Sequence, residues 1–288
     1  MKQAFFCEFL NYCSLGKLTH QSKLKEQSKP IEFEIAYNNE TFVYPVYAIP
    51  NKLSFSDQRC QRLYSQFIAD IKISFAEELT NTKSSAIIIA TTCYDLPLME
   101  NQLVEPNFST NQLNPLSQLE MEVSSALDFT GPCFTINTAC SSSSNAVLYA
   151  KKLICSQNFD NVLIVSVEFI NRISVSGFSS LQLLRQSQYK PFEKCSGMIL
   201  GECLSAQLLS NNDHNATYRL IDGFNSVDTN NITTSDPQGN GFNYCISKAL
   251  DRANINYNNI KLVKSHGVGT ESSDHAEVKA MKQFSEIN

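Results

Sequence analysis

Two residues in this 288-residue sequence sit where their types could do chemistry. Cys140 lies in Thr138-Ala139-Cys140-Ser141-Ser142-Ser143-Ser144, between an apolar segment and a run that reads as a helix. A helix N-terminus presents free N–H groups and a partial positive charge. That setting favours a thiolate, the nucleophilic form of cysteine. Small neighbours leave room for backbone and substrate to come close. The position also suits a structural thiol that packs like alanine, and both readings stand at this level. His266 lies in Ser265-His266-Gly267-Val268-Gly269-Thr270, directly after Ile260–Lys264. Loops at the ends of parallel strands hold ligands, and flanking glycines permit close approach. A plain surface-loop histidine is the competing reading. His275 begins a helix and His214 sits in a polar loop, so both read as solvent-facing. Gly-x-Ser-x-Gly, Gly-x-x-x-x-Gly-Lys and His-Glu-x-x-His are absent, and with them the common signatures of serine hydrolases, P-loop enzymes and zinc peptidases.

The elements that must hold these residues follow from hydrophobic spacing. Leu63, Phe67, Ile71 and Phe75 recur every fourth residue, which predicts a helix over 57–79. Ala86–Ala90 is a short unbroken apolar run suited to a strand covered on both faces. Residues 95–114 read as a loop, and Asn114-Pro115 as the N-cap and first turn of a helix whose stripe is Leu116, Leu119, Val123 and Leu127. Phe134–Asn137 reads as a strand, the small residues at 138–141 as a turn, and 142–156 as a helix with Ala146, Val147, Ala150, Leu153 and Ile154 on one side. Val162–Val167 is another buried strand, so the chain makes a parallel crossover here. Further on, Ile199–Leu209, Tyr218–Ile221 and Ile260–Lys264 read as extended and Phe242–Ala253 as helical. Asp274-x-x-Glu277 reads as a capping box opening a helix to Met281. The alternation defines an α/β fold.

Composition narrows the classes. The chain is 42% apolar and 18% charged, which suits a globular protein with a sizeable core. Its net charge of −5 argues against a duplex-DNA binder. No apolar run reaches the roughly 20 residues of a membrane-spanning helix. Glu8 interrupts the N-terminal stretch, so no secretion signal is expected. Ten cysteines without a Cys-x-x-Cys pair fit neither a disulfide scaffold nor a zinc centre. The expectation is a reduced, cytoplasmic protein with no metal, several of its thiols buried.

At this point a family comes into view. Thr138-Ala139-Cys140-Ser141-Ser142-Ser143 resembles the nucleophile motif of β-ketoacyl-acyl carrier protein synthases, condensing enzymes of the thiolase superfamily. His266-Gly267-Val268-Gly269-Thr270 is similar to their His-Gly-Thr-Gly-Thr loop, and Asp274 and Glu277 fit the acidic positions after it. Gly177-Phe178 with Leu181, Pro191-Phe192-Glu193, Gly197-Met198-Ile199-Leu200-Gly201-Glu202 and the turn Ser14-Leu15-Gly16 resemble further landmarks, in the same order. The resemblance implies a thiolase-like, five-layered α/β/α/β/α fold and a dimer. It implies that Cys140 takes an acyl chain from the phosphopantetheine arm of an acyl carrier protein, with no other cofactor. His266 then stabilises the enolate oxygen formed as a malonyl carrier loses CO₂, and Thr270 lies near the arm, with Asp274 and Glu277 structural beside the site.

The departures are also informative. The family's second histidine, its lysine and its Gly-Phe-Gly-Gly loop lie beyond the 22 residues (288 − 266) that follow His266. The Pro-Phe segment is a residue short and carries Cys195 where a basic residue is usual. The expectation is a single ketosynthase-like domain, 1–288, with an N-terminal half to about 210 and an incomplete C-terminal half at 211–288. Two roles fit. One is a partner of a full-length ketosynthase that resembles chain-length factors, including those of aryl-polyene-type pathways, in a heterodimer. The other is an active condensing enzyme using Cys140.

Overall fold

The computed structural model describes residues 2–285 apart from 20, 21, 23–27, 38, 53, 94, 95, 97–99, 101–115, 186–189, 194–196, 215, 232 and 233, and excepting the side chains of 57, 116–118 and 285. The chain divides into two compact units, 1–176 with 200–220, and 177–199 with 221–288. In the first unit a mixed sheet runs in the order β2 (Gly16–Thr19), β1 (Ala4–Cys13), β8 (Cys203–Ser210), β7 (Asn161–Glu168), β5 (Ser85–Ala90), β6 (Cys133–Ile136), with β9 (Tyr218–Leu220) also pairing β1. β5 is parallel to both β6 and β7, while β8 is antiparallel to β7 and β1. A separate hairpin is formed by β3 (Ile31–Tyr37) and β4 (Glu40–Val46). Gly16, at φ +92°, closes the turn between β1 and β2, a conformation that favours glycine.

Alternation along the strands sends side chains into two cores. On one face Ile87, Ile89, Leu163, Val165 and Leu204 pack under α1 (Asp57–Leu79) and α2 (Leu116–Ala126). Leu63, Phe67, Ile71 and Phe75 of α1 are all buried there, as their spacing requires, and Ser56 caps the helix by accepting from the Arg59 N–H. On the other face Ala86, Ile88, Val162 and Ile164 meet Ala146, Ala150 and Ile154 of α3 (Ser142–Cys155). The expected loop at 95–114 and the Asn114-Pro115 cap lie largely or wholly outside the described residues. Of the cysteines, Cys60 is buried, whereas Cys140 and Cys203 are exposed, so burial of the thiols is less general than their apolar contexts suggest.

Beyond β7, α4 spans Arg172–Ser180. The second unit is built on α5 (Asn240–Ala253) and α6 (Glu271–Ser285). Gly239, at φ +70°, lets the chain enter α5 against α6, since a Cβ there would lie 2.3 Å from the Ala276 carbonyl oxygen. Tyr257 stacks on Phe284 at 5.2 Å between centroids. Two expectations are corrected here. Ile260–Lys264 is not a strand: among the described residues it has no ladder partner, and Leu262 is 88% exposed. An alternating pattern proposes a strand, but only a neighbouring strand completes one. The helix also begins at Glu271, one turn earlier than Asp274, so Asp274 and Glu277 are interior to α6 and do not cap it.

The first unit holds a buried ion pair. Arg59, in the first turn of α1, donates from Nη1 and Nη2 to the two carboxylate oxygens of Glu202 at 2.8 and 2.7 Å. Glu202 also accepts from the N–H groups of Ile49 (2.9 Å) and Ile170 (3.3 Å), and Arg59 donates to the Ile49 carbonyl. One carboxylate therefore joins α1, the segment after β4, the exit of β7 and the entry to β8. Glu202→Ala, which leaves Arg59 buried without its counter-charge, is expected to cost about 3–5 kcal/mol in urea unfolding, most of it recovered in Arg59→Met/Glu202→Leu. Asp70 is a second buried carboxylate. Burial pushes its carboxyl up, but bonds from Lys17 and Tyr12 outweigh this and hold it below its usual value. Its stabilisation is present above the unfolded-state pKa and lost as pH falls through the lower folded value. Between about pH 5 and about pH 2, urea midpoints should fall less for Asp70→Asn than for the wild-type chain.

Candidate functional site

Cys140 sits at the exit of β6, one residue before Ser141, the N-cap of α3. The turn closes on itself through small polar side chains. The Thr138 N–H donates to Ser142 Oγ (2.9 Å), Ser142 Oγ donates to the Ala139 carbonyl (2.7 Å), and Asn145 Nδ2 donates to Thr138 Oγ1 (2.8 Å). Ala139 takes φ +52°, left-handed backbone that costs a residue with a Cβ about 1–2 kcal/mol. That kink carries the chain from strand to helix within a few residues, leaving Cys140 exposed. The residue faces an open cavity of about 500 Å³ that is also lined by Thr92, Val147, Glu168 and Gln207.

A second set of residues braces this turn from the end of β5. Thr92 Oγ1 donates to the Ala139 carbonyl (3.3 Å), and Asn137 Nδ2 donates to the Thr92 carbonyl (3.2 Å). The Thr92 N–H donates to the Glu168 carboxylate at the end of β7. Cys93 Sγ contacts the same carboxylate at 3.5 Å. Burial, then the nearby Glu168 charge, push the Cys93 thiol up to about 11, and burial likewise pushes Cys133 to about 11. These thiols stay protonated at neutral pH and are poor nucleophiles. Thr92 and Glu168 were missed from sequence. The available signal was a lone carboxylate ending an otherwise apolar strand, at the end of a parallel strand where ligands gather.

In the second unit, His266, Gly267 and Gly269 form the loop before α6. Glu277 accepts the His266 N–H at 2.6 Å and the Gly267 N–H at 2.8 Å, one on each oxygen. Asp274 accepts the Gly269 N–H at 3.0 Å and the Phe192 N–H at 2.6 Å. Both carboxylates are buried, at 5% and 6% exposure. Gly267 and Gly269 have φ of +53° and +89°, and a Cβ on Gly267 would lie 3.2 Å from the Phe192 ring. Thr270 directly precedes α6, and its carbonyl accepts the Asp274 N–H at 2.9 Å. The structure thus brings His266, Thr270, Asp274, Glu277 and Phe192 together as one clamped loop with His266 exposed, while His214 and His275 face solvent. Cys140 belongs to the first unit. Among the described residues no group of histidine, cysteine and carboxylate side chains has the arrangement of a metal site, and no helix is long and apolar enough to cross a membrane.

With this geometry in place, comparison with known proteins identifies the family. The models of the β-ketoacyl synthase N-terminal and C-terminal domains match residues 98–215 and 220–286, and the chain belongs to the β-ketoacyl synthase family. Among curated relatives, probable polyketide synthase 3 of Dictyostelium discoideum is 31% identical over 183 residues, 58% of this chain and 6% of that protein. The 3-oxoacyl-[acyl-carrier-protein] synthase 2 of Coxiella burnetii is 28% identical over 176 residues, 56% of this chain and 42% of that protein. The chain therefore matches less than half the length of either. Among solved structures, the ketosynthase in complex with its chain length factor from Xenorhabdus doucetiae aligns with a TM-score of 0.79 at 20% identity, covering 98% of this chain and 76% of that one. The ishigamide ketosynthase/chain length factor aligns at 0.75 and 18% identity, covering 98% and 77%. These structural matches establish a thiolase-like ketosynthase fold.

The clamped loop can be tested directly. Glutamine at 277 offers one acceptor where the carboxylate offers two, and turns its amide donors toward an N–H group. Glu277→Gln is expected to weaken the loop by about 1–3 kcal/mol. Hydrogen exchange at residues 266–269 should quicken about tenfold or more while that of β5 and β7 stays unchanged.

Proposed function

We propose that the chain accepts an acyl group as a thioester on Cys140, in the carrier-protein-dependent elongation of a fatty-acid or polyketide chain. The observation that carries this is the exposed thiol at a kinked strand–helix junction, facing a cavity and braced by Thr92 and Glu168. The Cys140 thiolate attacks the carbonyl carbon of an acyl group borne on a carrier protein's phosphopantetheine arm. The bond to the arm's sulfur breaks, and the arm leaves as a thiolate that takes up a proton. The N-terminus of α3 favours the negative charge that develops on the carbonyl oxygen. His266 is the residue assigned to the enolate oxygen in any decarboxylative step, and Thr270 to the arm. No metal or further cofactor enters this reading.

A paired role is the second element. β6 ends the sheet order, with Phe134 and the 44%-exposed Tyr149 in edge-to-face contact beside it at 5.4 Å. An edge strand of this kind offers unpaired backbone groups to a neighbour. This supports a chain-length-factor-like partnership with a full-length ketosynthase as a heterodimer, a homodimer being the alternative, in pathways that include the aryl-polyene type.

Incubation of the purified chain with a hexanoyl-pantetheine thioester should add one hexanoyl group by intact mass, located at residue 140 by peptide mapping and absent in Cys140→Ala. A wild-type chain that takes no acyl group, or takes it elsewhere, contradicts the reading. His266→Ala should leave loading within a few-fold and reduce any decarboxylation of malonyl carrier protein by about 10²–10³-fold. Co-expression with a full-length ketosynthase and light scattering after size exclusion distinguishes a heterodimer from a homodimer or monomer.

A further inference from the structure

The wall of the Cys140 cavity holds two further thiols, Cys13 and Cys203. Cys13 is the last residue of β1 and Cys203 the first of β8. These strands are antiparallel, with Asn11 opposite Ser205 and Tyr12 opposite Leu204. One further step in that register sets Cys13 opposite Cys203. Asn11, Cys13, Cys203 and Ser205 all line the cavity, so alternation places both thiols on the same face of the sheet. Neither strand end is loose. Cys13 pairs with Gly16 across the turn into β2, and Cys203 pairs with Glu168 of β7 on its other side.

We propose that Cys13 and Cys203 are a cross-strand dithiol that is reversibly oxidised to a disulfide by exchange with a low-molecular-weight disulfide. The spacing suits the bond. Residues directly opposed on antiparallel strands have Cα atoms about 4.5–5.5 Å apart, inside the roughly 4.4–6.8 Å that disulfides span. The balance is complete without any other reactant. One protein thiolate attacks the small disulfide, forms a mixed disulfide and releases one small thiol. The second protein thiolate then attacks the mixed disulfide at the protein sulfur and releases the other small thiol. Two electrons and two protons pass from the protein to the reagent. Either thiol can open the small disulfide, and the other closes the bond. The site is independent of acyl transfer at Cys140, although the cross-link would stiffen the cavity wall that Cys140 faces.

The test is incubation of the folded chain with oxidised glutathione, quenching with N-ethylmaleimide, and non-reducing peptide mapping by mass spectrometry. The expected result is a Cys13–Cys203 cross-linked peptide with loss of two hydrogens, reversed by dithiothreitol. The same link should form in Cys140→Ser, which removes the third thiol of the cavity. In Cys13→Ser and in Cys203→Ser the link should be absent. Overturning results are both thiols remaining free, glutathione remaining attached to either one in the wild-type chain, or a cross-link between other cysteines in place of this one.

Discussion

The first unit depends on a buried carboxylate. Glu202 has two oxygens, and each accepts both a guanidinium N–H from Arg59 and a backbone N–H, from Ile49 or from Ile170. None of these partners is near Glu202 in sequence. The group therefore converts four separate pieces of chain into one rigid end of the sheet. Such a pair is costly to desolvate, so its value lies in the geometry it fixes more than in net stability. Phe55 lies under the Arg59 guanidinium at 4.9 Å and completes the enclosure.

The same device recurs at the site. Glu168 holds the Thr92 N–H, and Thr92 in turn holds the Ala139–Cys140 turn. In the second unit Glu277 and Asp274 hold four backbone N–H groups of the 266–269 loop and Phe192. Backbone N–H groups in irregular segments must be satisfied by something. In each case a carboxylate rooted in regular structure does so, which lets a glycine-rich or strained segment carry an exposed Cys140 or His266 in a defined position. Regular elements thus supply order to segments that could not hold it through ladders of their own.

Much of the first unit was legible in the sequence. The four-residue spacing of α1 and the unbroken Ala86–Ala90 run state their own burial, because one helical face and one two-sided strand each leave a local signature. The strand–turn–helix at Cys140 was readable for the same reason. What failed was whatever depends on a partner remote in the chain. Ile260–Lys264 has a strand's pattern without a neighbouring strand. Asp274 and Glu277 have the spacing of a helix cap, yet their carboxylates bind N–H groups of a preceding loop. Glu168 and the Cys13–Cys203 register become visible only once the sheet order is known.

The central claim is that the fold singles out Cys140 among the nine described cysteines. Its most direct measurement is competitive labelling of the folded chain with substoichiometric iodoacetamide at neutral pH, read site by site by mass spectrometry. The account expects Cys140 to be labelled first and Cys93 and Cys133 last. Labelling of Cys93 or Cys133 ahead of Cys140, or uniform labelling of all nine, would contradict it.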